Sequence, residues 1–319
     1  MREHPGITEA LTMARLQQRC AYGANATMRK AFSRRVREGV LLTPFRNVFI
    51  EHEHWNQLSR CEQTLYIART LSILHERWVF AGLTAADVHG LDHSWRLHDG
   101  SVQIVDAKRS GKISNQRIER IYKATVTMQS VGGIQVTDMT STVIDCCLRL
   151  SFEQSLPIVD AALRKGMSKE SLTERLSSTA PRNEHLSRLL RYADGASENG
   201  GESWVRAKIL AMGFAKPELQ VEFVSPRNHR QRYRVDFLWR LYDGRIIVLE
   251  FDGTRKYVDP DMTNGRTIRQ VVERQIQRDR ELRQAGVTTI VHCFIDEVST
   301  QLFEKLTSAG VPWVGRPFD

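Results

Sequence analysis

Apolar positions follow different rhythms along the chain. Near the start, ITEALTMARLQQRC places Ile7, Leu11, Ala14 and Leu16 at close to helical spacing. The turn AYGAN follows, and its Asn25 is positioned to cap a second helix. In TMRKAFSRRVREG the apolar residues Met28, Ala31, Phe32 and Val36 share one helical face, and Gly39 stands where a left-handed residue ends a helix. VLLTPFRNVFI then reads as two short β-rich runs around a turn at Pro44. Residues 5–55 therefore predict helix, turn, helix and hairpin.

Beyond residue 56 the rhythm is mixed. RWVFAG, SVQIVDA and GIQVTDM are rich in β-branched and aromatic residues and predict strands. TSTVIDCCLRLS and FEQSLPIVDAALRKG carry helical patterns, the first capped by Thr140 or Ser141. Between about 177 and 201 the chain turns polar, and the Gly/Ser/Asn-rich DGASENGG places a boundary near residue 197. From there the predicted order is helix (ESWVRAKILAMGF), three strands (ELQVEFV, RYRVDFLW, RIIVLEFD), a long helix over about 267–285, a strand (VTTIVHCF) and a helix (DEVSTQLFEKL). The expectation is an α/β (α+β) protein in three parts: residues 1–55, 56–196 and 197–319.

Composition changes this picture only in part. The 41% hydrophobic and 26% charged content is ordinary for a folded domain, and no apolar run approaches the roughly 20 residues of a membrane span. MREHPGITEAL lacks the apolar stretch of a secretory signal, so a cytoplasmic location is expected. The five cysteines show no C-x-x-C spacing and the ten histidines are scattered, which favours buried reduced thiols over zinc or disulfides. His89 and His93 lie four apart but have no acid on the same predicted face, so they predict no metal site; Asp138, Asp145 and Asp160 read as cap or solvated-face residues. Net charge is +9, from 46 Lys+Arg against 37 Asp+Glu, which suits an anionic partner. The distribution is more telling: Arg29, Lys30, Arg34 and Arg37 fall away from the apolar face of the second helix, with Arg35 at its margin. Such a helix would lie in a DNA major groove, with Arg46 near the hairpin tip meeting neighbouring phosphates. The alternative is a helical hairpin whose charged face is simply solvated.

The densest chemistry sits in RIIVLEFDGTRKY. Alternation puts Ile246, Val248, Glu250 and Asp252 on one face; in RYRVDFLW it puts Tyr233, Val235, Phe237 and Trp239 on one face and Asp236 on the other. If the two strands pair through the YDG turn at 242–244, Asp236 and Glu250 are neighbours and three carboxylates converge. Left unpaired they would repel and raise each other's pKa. A hard divalent cation, Mg²⁺ or Mn²⁺, resolves that conflict and polarises a phosphodiester. Lys256 follows closely and would stabilise developing charge, with Gly253 permitting the sharp exit that returns it.

Asp on one strand and an acid pair on the next, with VDF at 235–237 and EFDG at 250–253, resembles the Vsr-like branch of the PD-(D/E)XK endonucleases. The helix RQIQRDRELRQAG and the strand after it extend the resemblance over about 200–300. It implies a restriction-endonuclease-like α/β/α domain with Asp236, Glu250 and Asp252 as metal ligands, Glu202 as the helix acid and Lys256 as a migrated lysine. Asp252 stands where the motif carries lysine. Arg274 and Arg278, four apart on the long helix, would hold phosphates. The first two-thirds resemble AbiEi-type antitoxins of abortive-infection, type IV toxin–antitoxin systems, on the helix-turn-helix and hairpin, AGLTAADVHGL at 81–91, VTDMTSTVIDCC and IVDAALRKG. That resemblance implies a winged helix-turn-helix, DNA binding, and an operator or cognate toxin as partner. Three readings stay open: a targeted metal-dependent DNA endonuclease, a non-catalytic DNA-binding regulator with a degenerate nuclease domain, and acids that are purely structural, ion-paired with Arg234, Arg255 or Lys256.

Overall fold

A computed structural model describes residues 5–107, 117–179, 183–252 and 268–315. In chain order the helices are α1 (Pro5–Leu16), α2 (Ala26–Arg37), α3 (His52–Gln57), α4 (Arg60–Leu74), α5 (Gly82–His89), α6 (Met139–Cys147), α7 (Phe152–Arg164), α8 (Lys169–Thr179), α9 (Glu184–Tyr192), α10 (Gly200–Ala211), α11 (Ile268–Gln284) and α12 (Leu302–Ala309). The strands are β1 (Ala21–Tyr22), β2 (Leu41–Phe45), β3 (Val48–Glu51), β4 (Val102–Asp106), β5 (Ile118–Tyr122), β6 (Met128–Val131), β7 (Ile134–Thr137), β8 (Glu218–Val224), β9 (Arg232–Arg240), β10 (Ile246–Asp252) and β11 (Thr289–Phe294). The class is mixed α/β. No helix among the described residues is long and apolar enough to cross a membrane.

Two compact units divide the chain: 1–151 with 165–190, and 152–164 with 191–319. In the first, the Asn25 side chain accepts from the Met28 N–H at 2.9 Å, and Gly39 takes the left-handed φ of 78° that closes α2. Met28, Ala31, Phe32 and Val36 pack toward Ile7 and Ala14 of α1. Phe32 stacks on Phe49 of β3 at 4.6 Å, which fixes α2 over the sheet β1-β3-β2. The other side of the hairpin packs elsewhere: Phe45, Val48 and Ile50 join Tyr66, Ile67 and Leu71 of α4 and Phe80, Ile104 and Val136 in one core. Residues 5–55 thus share a core with α4, β4 and β7.

RWVFAG, expected as a strand, forms none. Phe80 instead makes single bridges to both Ile104 and Val136: its own N–H and carbonyl bond β7, while the flanking Val79 carbonyl and Ala81 N–H bond β4. Asp138, rather than Thr140 or Ser141, caps α6 by accepting from Ser141 N–H.

The second unit is a three-layer arrangement. Its sheet has the order β11-β10-β9-β8, with β10–β11 parallel and the other pairs antiparallel. A parallel neighbour requires a crossover, and α11 supplies it. Leu282 of α11 packs with Tyr233, Val235, Leu238 and Val248 on one face. Val205 and Ile209 of α10 and Leu302 and Leu306 of α12 cover Phe237, Trp239, Ile247 and Leu249 on the other. The chain enters this unit twice, because α7 precedes the polar stretch yet packs beside α10. Asp160 of α7, expected on a solvated face, is fully buried and ion-paired with the equally buried Arg206. Lys208 also reaches Glu153 at 3.0 Å. Asp145, likewise expected as a cap or solvated residue, is buried against Lys123 at 2.8 Å. In both places the acid faces a cation on another element, a pairing that periodicity does not report.

Candidate functional site

β9 and β10 form the anticipated hairpin, with Leu249 opposite Phe237 and Ile246 opposite Arg240. One more step in that register sets Glu250 opposite Asp236. The regular pairing stops there, and the Asp236 carboxylate takes the Phe251 N–H at 2.8 Å in place of a strand partner. The expected single face of Tyr233, Val235, Phe237 and Trp239 is corrected at the same point. Tyr233 and Val235 pack toward α11, whereas Phe237 and Trp239 pack toward α10 and α12. On the neighbouring strand Gln220 has φ 52°, a left-handed value that bends β8 beside Asp236, and Leu219 and Val221 split between the two faces in the same way. The acid therefore sits at a break in the pleat.

The third acid comes from α10. Asn199 caps this helix by accepting from Glu202 N–H at 3.0 Å, and Glu202 answers by accepting from Glu198 N–H at 2.8 Å and Asn199 Nδ2 at 2.7 Å. Gly201 lets the first turn lie against the sheet, since a Cβ there would come within 3.0 Å of the Phe251 ring. Gln220 Nε2 donates to Glu202 at 2.9 Å, tying the helix to the bent part of β8. Burial, then the negative charge of Asp236, pushes the Glu202 carboxyl up to about 7. Burial also raises Glu250, opposed by the Arg278 guanidinium beside it and reinforced by Asp236. The predicted acid Asp236 is thus within electrostatic reach of both Glu202 and Glu250.

The remaining predicted residues of this unit fall in different places. Asp252 ends β10, paired in register with Phe294 of β11. Lys256 lies outside the described residues. Arg274 is exposed on α11 beside Gln270 and Gln277. Arg278 is engaged: it donates to Glu250 at 2.5 Å and to the Arg234 carbonyl at 2.6 Å, with its guanidinium 5.8 Å from the centre of the Tyr233 ring. Neighbouring His292 approaches Asp279 at 3.1 Å, adding a titratable group that sequence reasoning did not select.

In the first unit Arg29, Lys30, Arg34 and Arg37 are exposed on α2, and Arg46 is exposed at the hairpin tip. Asn47 holds that tip, its amide exchanging hydrogen bonds with both the N–H and carbonyl of Gly23. Gly23 has no room for a side chain, because a Cβ would lie 2.4 Å from Arg29 Cγ. Arg35 departs from the expected basic face: it is only 6% exposed, turned toward α1 and β2 with Leu11 and Leu41. It sits at the margin of the apolar stripe, and packing draws its stem inward.

A second constellation was missed. His89, four residues before His93 and expected to form no metal site with it, hydrogen-bonds the Thr137 carbonyl at 2.9 Å. His93 instead meets Cys61, Asp87 and His98, and one ligand-type atom from each lies within 4.8 Å of the others. The available signal was H-x₄-H at 93–98, a spacing seen in zinc sites. The cysteines differ accordingly: burial pushes Cys20 up to about 12 and Cys293 to about 11. For Cys61 burial is outweighed by hydrogen bonds from His93 and His98, and its thiol lies below the ordinary value. No family model, no curated protein and no solved structure matches this chain.

Proposed function

We propose that the protein binds DNA through α2 and the β2–β3 hairpin, in the manner of a winged helix-turn-helix, and hydrolyses phosphodiester bonds at the acids of its second unit. The carrying observation is the convergence of Asp236 and Glu250 at a break in the sheet, with Glu202 of α10 facing them. Carboxylate oxygens at a sheet end suit a hard cation, so Asp236 and Glu250 would hold Mg²⁺ or Mn²⁺, with Asp252 at the same strand end and Glu202 outside them. Such an ion supplies a lowered water pKa and neutralises phosphate charge. Arg278, now donating to Glu250, is placed to transfer to a phosphate once that carboxylate has another cationic partner. The α2 cations Arg29, Lys30, Arg34 and Arg37 give the sequence-independent part of DNA affinity.

The Arg278–Glu250 ion pair also favours a second reading. There the arginine permanently replaces the cation, and the chain is a non-catalytic DNA-binding regulator, an antitoxin-like repressor with an operator or toxin as partner. Plasmid incubated with the protein and Mg²⁺ or Mn²⁺ decides between them. Hydrolysis predicts nicking that falls by a factor on the order of 100 or more in Asp236→Ala. Absence of nicking with retained gel-shift binding selects the regulator.

A further inference from the structure

The first unit contains a polar knot unrelated to the acids of the sheet. Cys61 lies in the first turn of α4, Asp87 near the end of α5, and His93 and His98 on the segment after α5. The Asp87 and His93 side chains are 2% exposed and that of His98 is 4% exposed. His93 Nε2 is 3.3 Å from one Asp87 oxygen, His98 Nε2 is 3.4 Å from the other, and the two Nε2 atoms are 2.9 Å apart.

The outer nitrogens decide what this means. His93 Nδ1 is 2.8 Å from the Leu91 carbonyl, which can only accept, so the proton is on Nδ1. His98 Nδ1 is 3.2 Å from the Thr64 hydroxyl, which already donates to the Arg60 carbonyl and therefore accepts from Nδ1. With each Nδ1 donating outward, the two Nε2 atoms and the Asp87 carboxylate converge on one another, and that convergence calls for positive charge, from a proton or a metal ion, among the four groups. Asp87 Oδ2 is moreover buried without a hydrogen-bond partner. Metal-bound imidazoles are held in this way, with the non-ligating N–H fixed by a carbonyl or hydroxyl.

We propose that Cys61, Asp87, His93 and His98 bind one zinc ion in a closed, structural site that ties the 90–98 segment to α4 and α5. A thiolate, two imidazoles and a carboxylate are a borderline-soft tetrahedral set. Ligands about 2.05 Å from a tetrahedral centre stand about 3.3 Å apart, close to the two histidine–aspartate separations. The same residue types also make a cysteine nucleophile with its base and orienting acid. That arrangement needs the acid on one ring nitrogen and the thiol on the other. Here Asp87 approaches Nε2 of both rings while Nδ1 of each is held by Leu91 or Thr64, so neither ring has the acid on one nitrogen and the thiol on the other.

The test is metal analysis of the full-length protein purified without chelator. About one zinc per chain is expected, with Co²⁺ replacing it to give the visible absorption of a tetrahedral centre and a sulfur-to-cobalt charge-transfer band. Cys61→Ser should abolish the charge-transfer band while retaining the visible absorption of a bound cobalt. His98→Gln should lose most of the metal, and His229→Gln in an exposed loop should change nothing. Folded native protein, verified by circular dichroism, that contains substoichiometric zinc after expression in zinc-supplemented medium and shows no cobalt spectrum overturns the proposal. So does a cobalt spectrum that Cys61→Ser leaves intact. Neither outcome depends on nuclease activity.

Discussion

Glu202 is both the capping partner of Asn199 and the neighbour of Asp236, and the two roles pull on its proton in opposite directions. The cap hydrogen bonds favour the anion, while burial and the Asp236 charge disfavour it more strongly and carry the carboxyl from 4.5 to about 7. Between those values the folded chain retains a proton that the unfolded chain has released. The contribution of this group to stability is therefore complete below about 4.5 and is lost as pH rises through about 7. Glu202→Gln keeps an oxygen for the Glu198 N–H but cannot ionise. Its stability relative to the native chain should increase with pH across that window, by up to about 3 kcal/mol, as read from urea midpoints on either side of it. A difference that does not change with pH would mean that Asp236 and burial do not hold this proton. A bound divalent cation should diminish the same difference, because it offsets the Asp236 charge that helps to raise Glu202.

At the scale of elements, α2 is the clearest case of what the sequence shows. Its apolar stripe, its Asn25 cap and its Gly39 terminus all follow from local rules, and so does the exposure of Arg29 and Arg34. Replacing those two arginines with alanine should lower DNA affinity uniformly across sequences and reduce the slope of log affinity against log salt by about 2. Fluorescence anisotropy over a salt series measures both quantities, and an unchanged slope would remove α2 from the proposed DNA interface. The β8–β9–β10 strands, α11 and the hairpin that joins Asp236 to Glu250 were equally legible, because alternation and turn residues are short-range. The inward turn of Arg35 was not, since a residue at the edge of a stripe is assigned by what packs there. The change of face at Asp236 was hidden too: it depends on a left-handed Gln220 on another strand, a residue with no local reason to adopt φ 52°. The Cys61–Asp87–His93–His98 group joins α4 to the end of α5 and the segment beyond it, and only the last two members are close enough in sequence to have signalled it.

At the scale of the molecule, the polar run around residue 197 marks the chain's second entry into the unit that carries the acids, not its first. α7 lies before that run, and it brings Asp160 to an arginine that has no exposure to solvent. Arg206 also donates to the Tyr192 carbonyl at 2.6 Å, and Arg164 of α7 reaches the Ser197 carbonyl at 2.7 Å. A fragment consisting of residues 197–319 would keep the sheet, α10, α11 and α12 but leave the Arg206 guanidinium buried with neither of those partners. Removing one member of a buried ion pair costs about 3–5 kcal/mol, a large share of the roughly 5–15 kcal/mol that holds a domain together. The loss of α7 also uncovers the apolar side of α10. The fragment should therefore lack a cooperative thermal transition by circular dichroism, whereas one starting at residue 150, which restores α7, should show one. A sharp transition in the shorter fragment would mean that the acid site stands on an independent domain. Its absence would place Asp160 and Arg206, well removed in sequence from Asp236 and Glu250, among the residues on which the site depends.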